Sequence, residues 1–433
     1  MTRPSVTLRE WQTLGPEQER VLAGPVFGVE DKDRAVARRL TESGKLEVLE
    51  LARGLELRAT SFVGRFRLGT IDVTINPKLT GAPLLRLLRY AYGLRHLDLY
   101  EPVGYTAEQW NFQDLIIRQL ATEVAEILAR GIHRDYIPVA GHLVSPRGQI
   151  DFNRHVRDFP WTTATLPCRY HPRIEDCVLN QALLAGLQYA ASLTADTELR
   201  GQLNRLRKAI SSDVTEKRLD RQLLAGGMRA LDRRTTAYKS ILRILKLLLD
   251  SNGIALDDEE EPLTLPGFLF DMNRFFQALL SRFLREHLLD GVLHDEYALR
   301  TLYSYAPESP RGRGVPTPRP DFVVMRGGMM TAVLDAKYRD IWHQGLPREM
   351  LYQLSIYALG RTGTDRTSVI LYPSLDACPK EQVLCINDLM RGAVQGKVVL
   401  RPVNLLMMEN LIRQGRSGMK DRLAVAEWLV YGA

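Results

Sequence analysis

The stretch RPDFVVMRGGMMTAVLDAKY, residues 319–338, decides how this chain is read. Two apolar runs flank Gly327-Gly328, a dipeptide suited to the positive φ angles of a tight hairpin. The pattern predicts strands over 321–325 and 331–338. Asp321 opens the first strand and Asp335 lies near the end of the second, so a hairpin sets them opposite one another. Asp335 and Lys337 are two apart and share a face. Two carboxylates and one ammonium then converge. Two carboxylates suit Mg²⁺, a cation that prefers oxygen ligands and keeps several waters, and the main-chain carbonyl of Ala336 is a further candidate ligand. Such a metal polarises a phosphate and acidifies a bound water. Lys337 puts positive charge where a phosphoryl transition state gathers negative charge, and is also placed to orient or deprotonate the attacking water. The plainer reading is a solvated Asp/Lys ion pair after a Pro-Asp turn. Against it, Asp335 and Lys337 end the apolar run MMTAVL, at the rim of a buried strand.

Working outward, a helix is expected at about 348–360, with Gln353 and Tyr357 four apart on one face, then a strand over 367–372. Upstream lies the loop SPRGRGVPTPRP, 309–320, whose Arg311, Arg313 and Arg319 have no acidic neighbour within the loop. These arginines are candidate contacts to DNA phosphates, with a purely solvated loop equally open. YALRTLYSY, 297–305, reads as a strand. Phe268 to about Leu289 reads as a helix with Asp271 in its first turn, and the acidic run Asp257–Glu261 marks a boundary. Residues 176–252 read as largely helical. Short strands are expected around DYIPVAGHLVSPRGQIDFNRH (135–155), a helix from about Ala107 to Arg130, a helix from Leu84 to about Tyr92, and four short strands from Leu46 to about Ile75. The class is α+β. Its expected parts are a β-rich, helix-containing domain (1–160), a helical region (161–260), and an α/β domain with a mixed central sheet (261–433).

The chain has 433 residues, 58 Lys plus Arg against 51 Asp plus Glu, and a net charge of +7. That bias fits a polyanionic partner without demanding one. The N-terminus lacks the apolar core of a signal peptide, and no apolar run approaches the ~18 residues of a membrane span, so a cytoplasmic location and no membrane partner are expected. Cys168, Cys177, Cys378 and Cys385 lack Cys-x-x-Cys spacing, which argues against a zinc ribbon or iron–sulfur cluster. No Gly-x-x-x-x-Gly-Lys-Ser/Thr loop occurs, so the chain is not expected to bind a nucleoside triphosphate itself.

In order along the chain, Pro320-Asp321, Asp335-Ala336-Lys337 and Gln353-x-x-x-Tyr357 resemble the PD-(D/E)xK nuclease superfamily, in its branch with Gln-x-x-x-Tyr on the following helix. That resemblance implies catalytic roles for Asp321, Asp335, Lys337, Gln353 and Tyr357. One departure is Gln277, which stands where the superfamily often has a helical Glu and adds no charge to a metal site. INPKL (75–79), RGQIDFNRH (147–155), the Asn180 neighbourhood DCVLNQALL, and FDMN (270–273) together resemble the McrC family, the nuclease subunit of McrBC-type modification-dependent restriction systems. This likeness spans about residues 50–415. It implies Mg²⁺-dependent cleavage of double-stranded DNA and a McrB-type hexameric AAA+ GTPase partner. The N-terminal half would dock into that ring and stimulate it, with GTP bound by the partner. Self-association through the nuclease domain is left open. Two rivals stand beside this reading: a stand-alone repair nuclease of the same superfamily, and a non-catalytic assembly factor that activates a GTPase ring.

Overall fold

The computed structural model describes all residues except 1–3, 25, 28–30, 95–111, 137, 159–164, 195, 252–266, 307, 309–313, 340, 342–344, 362–365, 377, 391 and 433. Arg311, Arg313, the run Asp257–Glu261 and the expected start of a helix at Ala107 lie outside the described residues. The architecture is α+β. The chain packs as two compact units, one of residues 1–110 with 253–433 and the other of residues 111–252.

This grouping departs from the three consecutive parts expected at 1–160, 161–260 and 261–433. The physical reason is one strand. A helix was expected to begin at Phe268, yet Gly267–Asp271 is a strand that pairs antiparallel with Phe62–Leu68. It completes a four-stranded sheet ordered Ser5–Arg9, Ile71–Asn76, Phe62–Leu68, Gly267–Asp271. Short apolar runs such as FLF suit strand and helix alike, so only an available sheet edge decides between them. Gly64 permits the pairing. Its φ is +142°, and a Cβ there would meet the Phe268 carbonyl oxygen at 2.1 Å. The expected strands between Leu46 and Ile75 all form, and Leu46–Leu51 and Gly54–Ala59 belong to a separate three-stranded sheet with Thr13–Leu14.

The helix itself is Met272–His287, capped by Asp271, whose carboxylate accepts from the N–H groups of Asn273 (2.9 Å) and Arg274 (3.4 Å). Phe275, Phe276, Leu279, Leu280, Phe283 and Leu284 recur at helical spacing and are fully buried.

The C-terminal sheet is mixed and six-stranded, ordered Val292–Asp295, Phe322–Arg326, Met329–Ala336, Thr367–Ser374, Val394–Asn404, Gln382–Asn387. The hairpin turns at Gly327 (φ +56°) and Gly328 (φ +79°), as the dipeptide requires. Met325 faces Met330, but Val324 faces Ala332, which leaves Thr331 over as a β-bulge. The Thr331 hydroxyl donates to the Val324 carbonyl at 3.2 Å and so occupies an acceptor at the irregularity. From the bulge to Phe322, which faces Leu334, the register is shifted by one residue. Without that shift Asp321 would stand opposite Leu334, on the other face of the sheet from Asp335.

Val333, Ile370, Tyr372, Val398 and Leu400 pack with Leu354 and Tyr357 of the helix Arg348–Leu359. The expected strand at 297–305 is absent. Val292–Asp295, which was not anticipated, takes the edge of Phe322–Arg326 instead. Leu299 and Leu302 of the displaced segment pack against the core as irregular chain, with the Leu299 N–H donating to the Pro318 carbonyl.

In the unit 111–252, the helices Phe112–Arg130, Val178–Leu193, Thr197–Lys208, Arg221–Arg229 and Tyr238–Ser251 agree with the helical reading. Asn180 is fully buried. Its amide donates to the carbonyls of His133 (2.8 Å) and Glu175 (2.7 Å), and its oxygen accepts from the Tyr238 hydroxyl (2.7 Å). Every side-chain bond satisfies a buried group, so this motif residue is architectural.

Glu10, the residue after the first strand, is 2% exposed. Burial pushes its carboxyl up to about 8, although the Lys78 main-chain N–H and the Tyr338 hydroxyl pull the other way. Between the unfolded carboxylate value and pH 8 the native chain therefore holds more protons than the unfolded chain, and stability falls as pH rises through that window. Glu10→Gln is neutral in both states. Its stability relative to the parent is expected to rise between pH 5 and pH 9, by on the order of 3 kcal/mol. Urea unfolding at a series of pH values measures this, and parallel profiles for the two proteins would refute it.

Candidate active site

The strand Met329–Ala336 runs between Phe322–Arg326 and Thr367–Ser374, and its last residues carry the site. Asp335 pairs in register with Ile370, and the Lys337 N–H continues the ladder by donating to the Leu371 carbonyl at 3.0 Å. Asp335 therefore has little freedom, and its side chain is 3% exposed. Lys337 Nζ lies 2.9 Å from Asp335 Oδ2 and 3.5 Å from Asp321 Oδ2. Asp321 Oδ2 also accepts from the Ala336 N–H at 2.7 Å. The three expected side chains and the Ala336 main chain are thus brought together.

The electrostatics follow from this packing. Burial, reinforced by the Asp321 charge, pushes the Asp335 carboxyl up to about 6 despite the neighbouring ammonium. For Lys337 burial favours loss of the proton, but the two carboxylates outweigh it and hold the pKa above the ordinary lysine value. Lys337 consequently stands as an ammonium between the carboxylates, a role suited to charge stabilisation rather than to proton abstraction.

Gln353 and Tyr357 project from the helix Arg348–Leu359, where the Gln353 amide donates to the Tyr357 hydroxyl at 2.8 Å. Tyr357 is buried, and its phenol pKa is raised by that burial and also by the charges of Asp335 and Asp321. The expected helix face therefore does lie within electrostatic reach of the carboxylates. Because the phenol oxygen accepts from Gln353, its own proton is left to donate elsewhere. Arg319 is exposed, two residues before Asp321.

The donor set fits Mg²⁺. It consists of hard carboxylate oxygens in a buried setting where their mutual repulsion is incompletely offset by one lysine. Among the described residues no group of three or more His, Cys, Asp or Glu side chains is gathered for a metal.

Gln277 lines an open groove of about 750 Å³ that also touches Asp321, Phe322, Arg274, Ser281 and Arg285. Arg274 and Arg285 were not singled out from the sequence, although their spacing along the expected helix held the signal. Arg285 pairs with Asp295 at 2.6 Å, so the groove carries both signs of charge. Glu296 was also missed. It adopts a left-handed φ of +49°, and its N–H donates to the Asp321 carbonyl at 3.0 Å. Nothing in its local sequence signals this, because the conformation is imposed by the turn onto Asp321.

Among the described residues no helix is long and apolar enough to cross a membrane. No curated protein matches the chain. Among solved structures, the fold resembles a chain of a half-complex refined from the tetradecameric assembly of Thermococcus gammatolerans McrB AAA+ hexamers with bound McrC. The TM-score is 0.63 at 20% identity, over 97% of this chain and 99% of that one. A chain from the cryo-EM structure of the Thermococcus gammatolerans McrBC complex aligns at a TM-score of 0.48 and 21% identity, over 65% of this chain and 88% of that one. Residues 57–373, which include the hairpin, the D-x-K segment and the Gln-x-x-x-Tyr helix, match the McrBC 5-methylcytosine restriction system component family, and the chain belongs to that family.

Proposed function

We propose that this chain is the endonuclease subunit of a McrBC-type restriction complex. It hydrolyses phosphodiester bonds of double-stranded DNA with Mg²⁺ and stimulates a McrB-type AAA+ GTPase hexamer, which binds the GTP. The observation that carries the reading is the convergence of Asp321 and Asp335 on Lys337, whose Nζ lies 3.5 Å from one carboxylate and 2.9 Å from the other. Its context is a chain of this family whose fold resembles one in a McrB hexamer assembly with bound McrC.

Asp321 and Asp335 would hold Mg²⁺, with the Ala336 carbonyl as a further main-chain ligand. When bound, the ion supplies Lewis-acid polarisation of the phosphate and a more acidic water. Lys337 sets a fixed positive charge beside the phosphoryl group as negative charge develops there. Tyr357, held by Gln353, offers its O–H to a water or phosphate oxygen. Arg319 is placed to hold a neighbouring phosphate without reading sequence.

The test is cleavage of modified plasmid DNA by the purified chain, with and without a cognate AAA+ GTPase, GTP and Mg²⁺. Cutting is expected only when all are present. Rapid cutting by the chain with Mg²⁺ alone would favour a stand-alone repair nuclease. Gln277, a neutral residue in the groove beside Asp321, favours one further reading, an assembly factor without catalysis. GTPase stimulation with no cleavage under any condition would establish that alternative.

A further inference from the structure

The FDMN segment, 270–273, ends in a side chain that the proposed chemistry leaves unused. Asn273 stands in the first turn of the helix Met272–His287. Its Oδ1 accepts from the Tyr338 N–H at 2.9 Å, and its Nδ2 donates to the Ser61 hydroxyl at 2.6 Å. Ser61 is buried, and its carbonyl accepts from the Met272 N–H at 3.0 Å. Asn273 thus bridges the start of one N-terminal strand and the chain leaving the D-x-K segment.

Tyr338 is gripped at further points. Its ring meets Phe276 edge-on, with centroids 6.0 Å apart, and its hydroxyl lies 3.5 Å from Glu10 Oε1. The next residue, Arg339, places its guanidinium over the Trp11 ring at 5.4 Å. Trp11 itself is held at a left-handed φ of +62°, a costly conformation for a bulky residue unless its surroundings impose it. Lys337 therefore lies between two anchors one residue apart: its own N–H in the ladder to Leu371, and the Tyr338 N–H on Asn273.

We propose that Asn273 is a positioning residue: it fixes the chain beyond Lys337, and hence where the ammonium stands between Asp321 and Asp335, and it ties that position to the N-terminal sheet through Ser61. The inference rests on the nuclease reading. The physical argument is one of stiffness. An ammonium on a four-carbon stem samples many rotamers, and its place at 2.9 Å from one carboxylate and 3.5 Å from the other depends on a fixed Cα. A main-chain N–H left without its acceptor would seek another partner and pull the strand end with it. Supports one step removed from a metal ligand commonly change affinity or rate by ten- to a hundredfold.

The test uses the full chain with its GTPase partner, comparing Asn273→Leu, Asn273→Asp and Ser61→Ala. Asn273→Leu removes both bonds. Asn273→Asp keeps an acceptor for Tyr338 and lets the Ser61 hydroxyl turn to donate. Ser61→Ala breaks only the tie to the N-terminal sheet. For Asn273→Leu we expect kcat for cleavage to fall about tenfold or more with KM for DNA little changed, and Mg²⁺ affinity, read by calorimetry on the chain alone, to weaken by about tenfold. GTPase stimulation should persist, and Asn273→Asp should recover most of both losses. Wild-type kcat and Mg²⁺ affinity in Asn273→Leu would overturn the proposal. So would a parallel loss of cleavage, GTPase stimulation and fold in both Asn273 variants, which would mark a structural residue only. If Asn273→Leu does not fold, Ser61→Ala decides: a weaker kcat at unchanged KM supports the tie, and no change overturns it. Failure of the nuclease reading is separate, because it appears as absence of cleavage by the unmodified complex.

Discussion

Asp335→Asn is expected to abolish DNA cleavage, by roughly a thousandfold or more, while leaving thermal stability unchanged or raised. Asparagine keeps the size and can still accept from Lys337, so packing in the strand is preserved. What disappears is the charge. In the metal-free chain that charge is a burden, since burial and Asp321 push the Asp335 carboxyl up to about 6. At neutral pH it is ionised in spite of its surroundings, and the native state bears the cost. A carboxylate retained against its own stability is the signature of a group kept for function. Cleavage assays on the partner-bound chain, with thermal melts of the chain alone, measure both halves. A melting temperature lowered by several degrees together with loss of partner binding would make Asp335 a structural residue and remove the metal site as argued.

Lys337→Met is expected to show the opposite stability signature. Cleavage should fall by at least about a hundredfold, the scale seen when one preorganised charge is removed from a transition state. The metal-free chain should also lose on the order of 2–3 kcal/mol, because Asp335 and Asp321 then face each other without their shared cation. Lys337 is partly exposed, which places the cost at the lower end for a buried pair. Mg²⁺ should restore much of that stability, since an ion that binds only the native state raises its population by mass action. Thermal melts of the variant with and without saturating Mg²⁺ read this directly. A variant as stable as the parent without Mg²⁺, or one that Mg²⁺ does not stabilise, would show that the two carboxylates do not share a cation. The pair of variants is more telling than either alone: removing a carboxylate relieves the site, and removing the ammonium strains it.

Much of this arrangement is legible in the amino-acid sequence. Gly327-Gly328 carries its own turn, the apolar runs on either side carry their own strand character, and Gln353 and Tyr357 share a face through helical periodicity alone. Each of these rests on neighbours within a few residues. The pairing of Asp321 with Asp335 was also expected, yet it is reached by a route no local pattern displays. A two-residue turn by itself sets Asp321 against Leu334, and the bulge at Thr331 corrects the register. The strand expected at 297–305 failed for a related reason: the edge of Phe322–Arg326 was taken by Val292–Asp295, a choice that composition alone does not make.

By itself, then, the amino-acid order determined the hairpin, the spacing of the D-x-K residues and the amphipathic helices, because backbone conformation and side-chain period are short-range properties. Tertiary structure decided which runs became strands of which sheet, that Gly267–Asp271 joins Phe62–Leu68, and that Asn273, itself bound to Ser61, meets Tyr338 together with Glu10. Those contacts join residues tens to hundreds of positions apart. Their free energy comes from burial and from hydrogen bonds that exist only once the sheets have assembled.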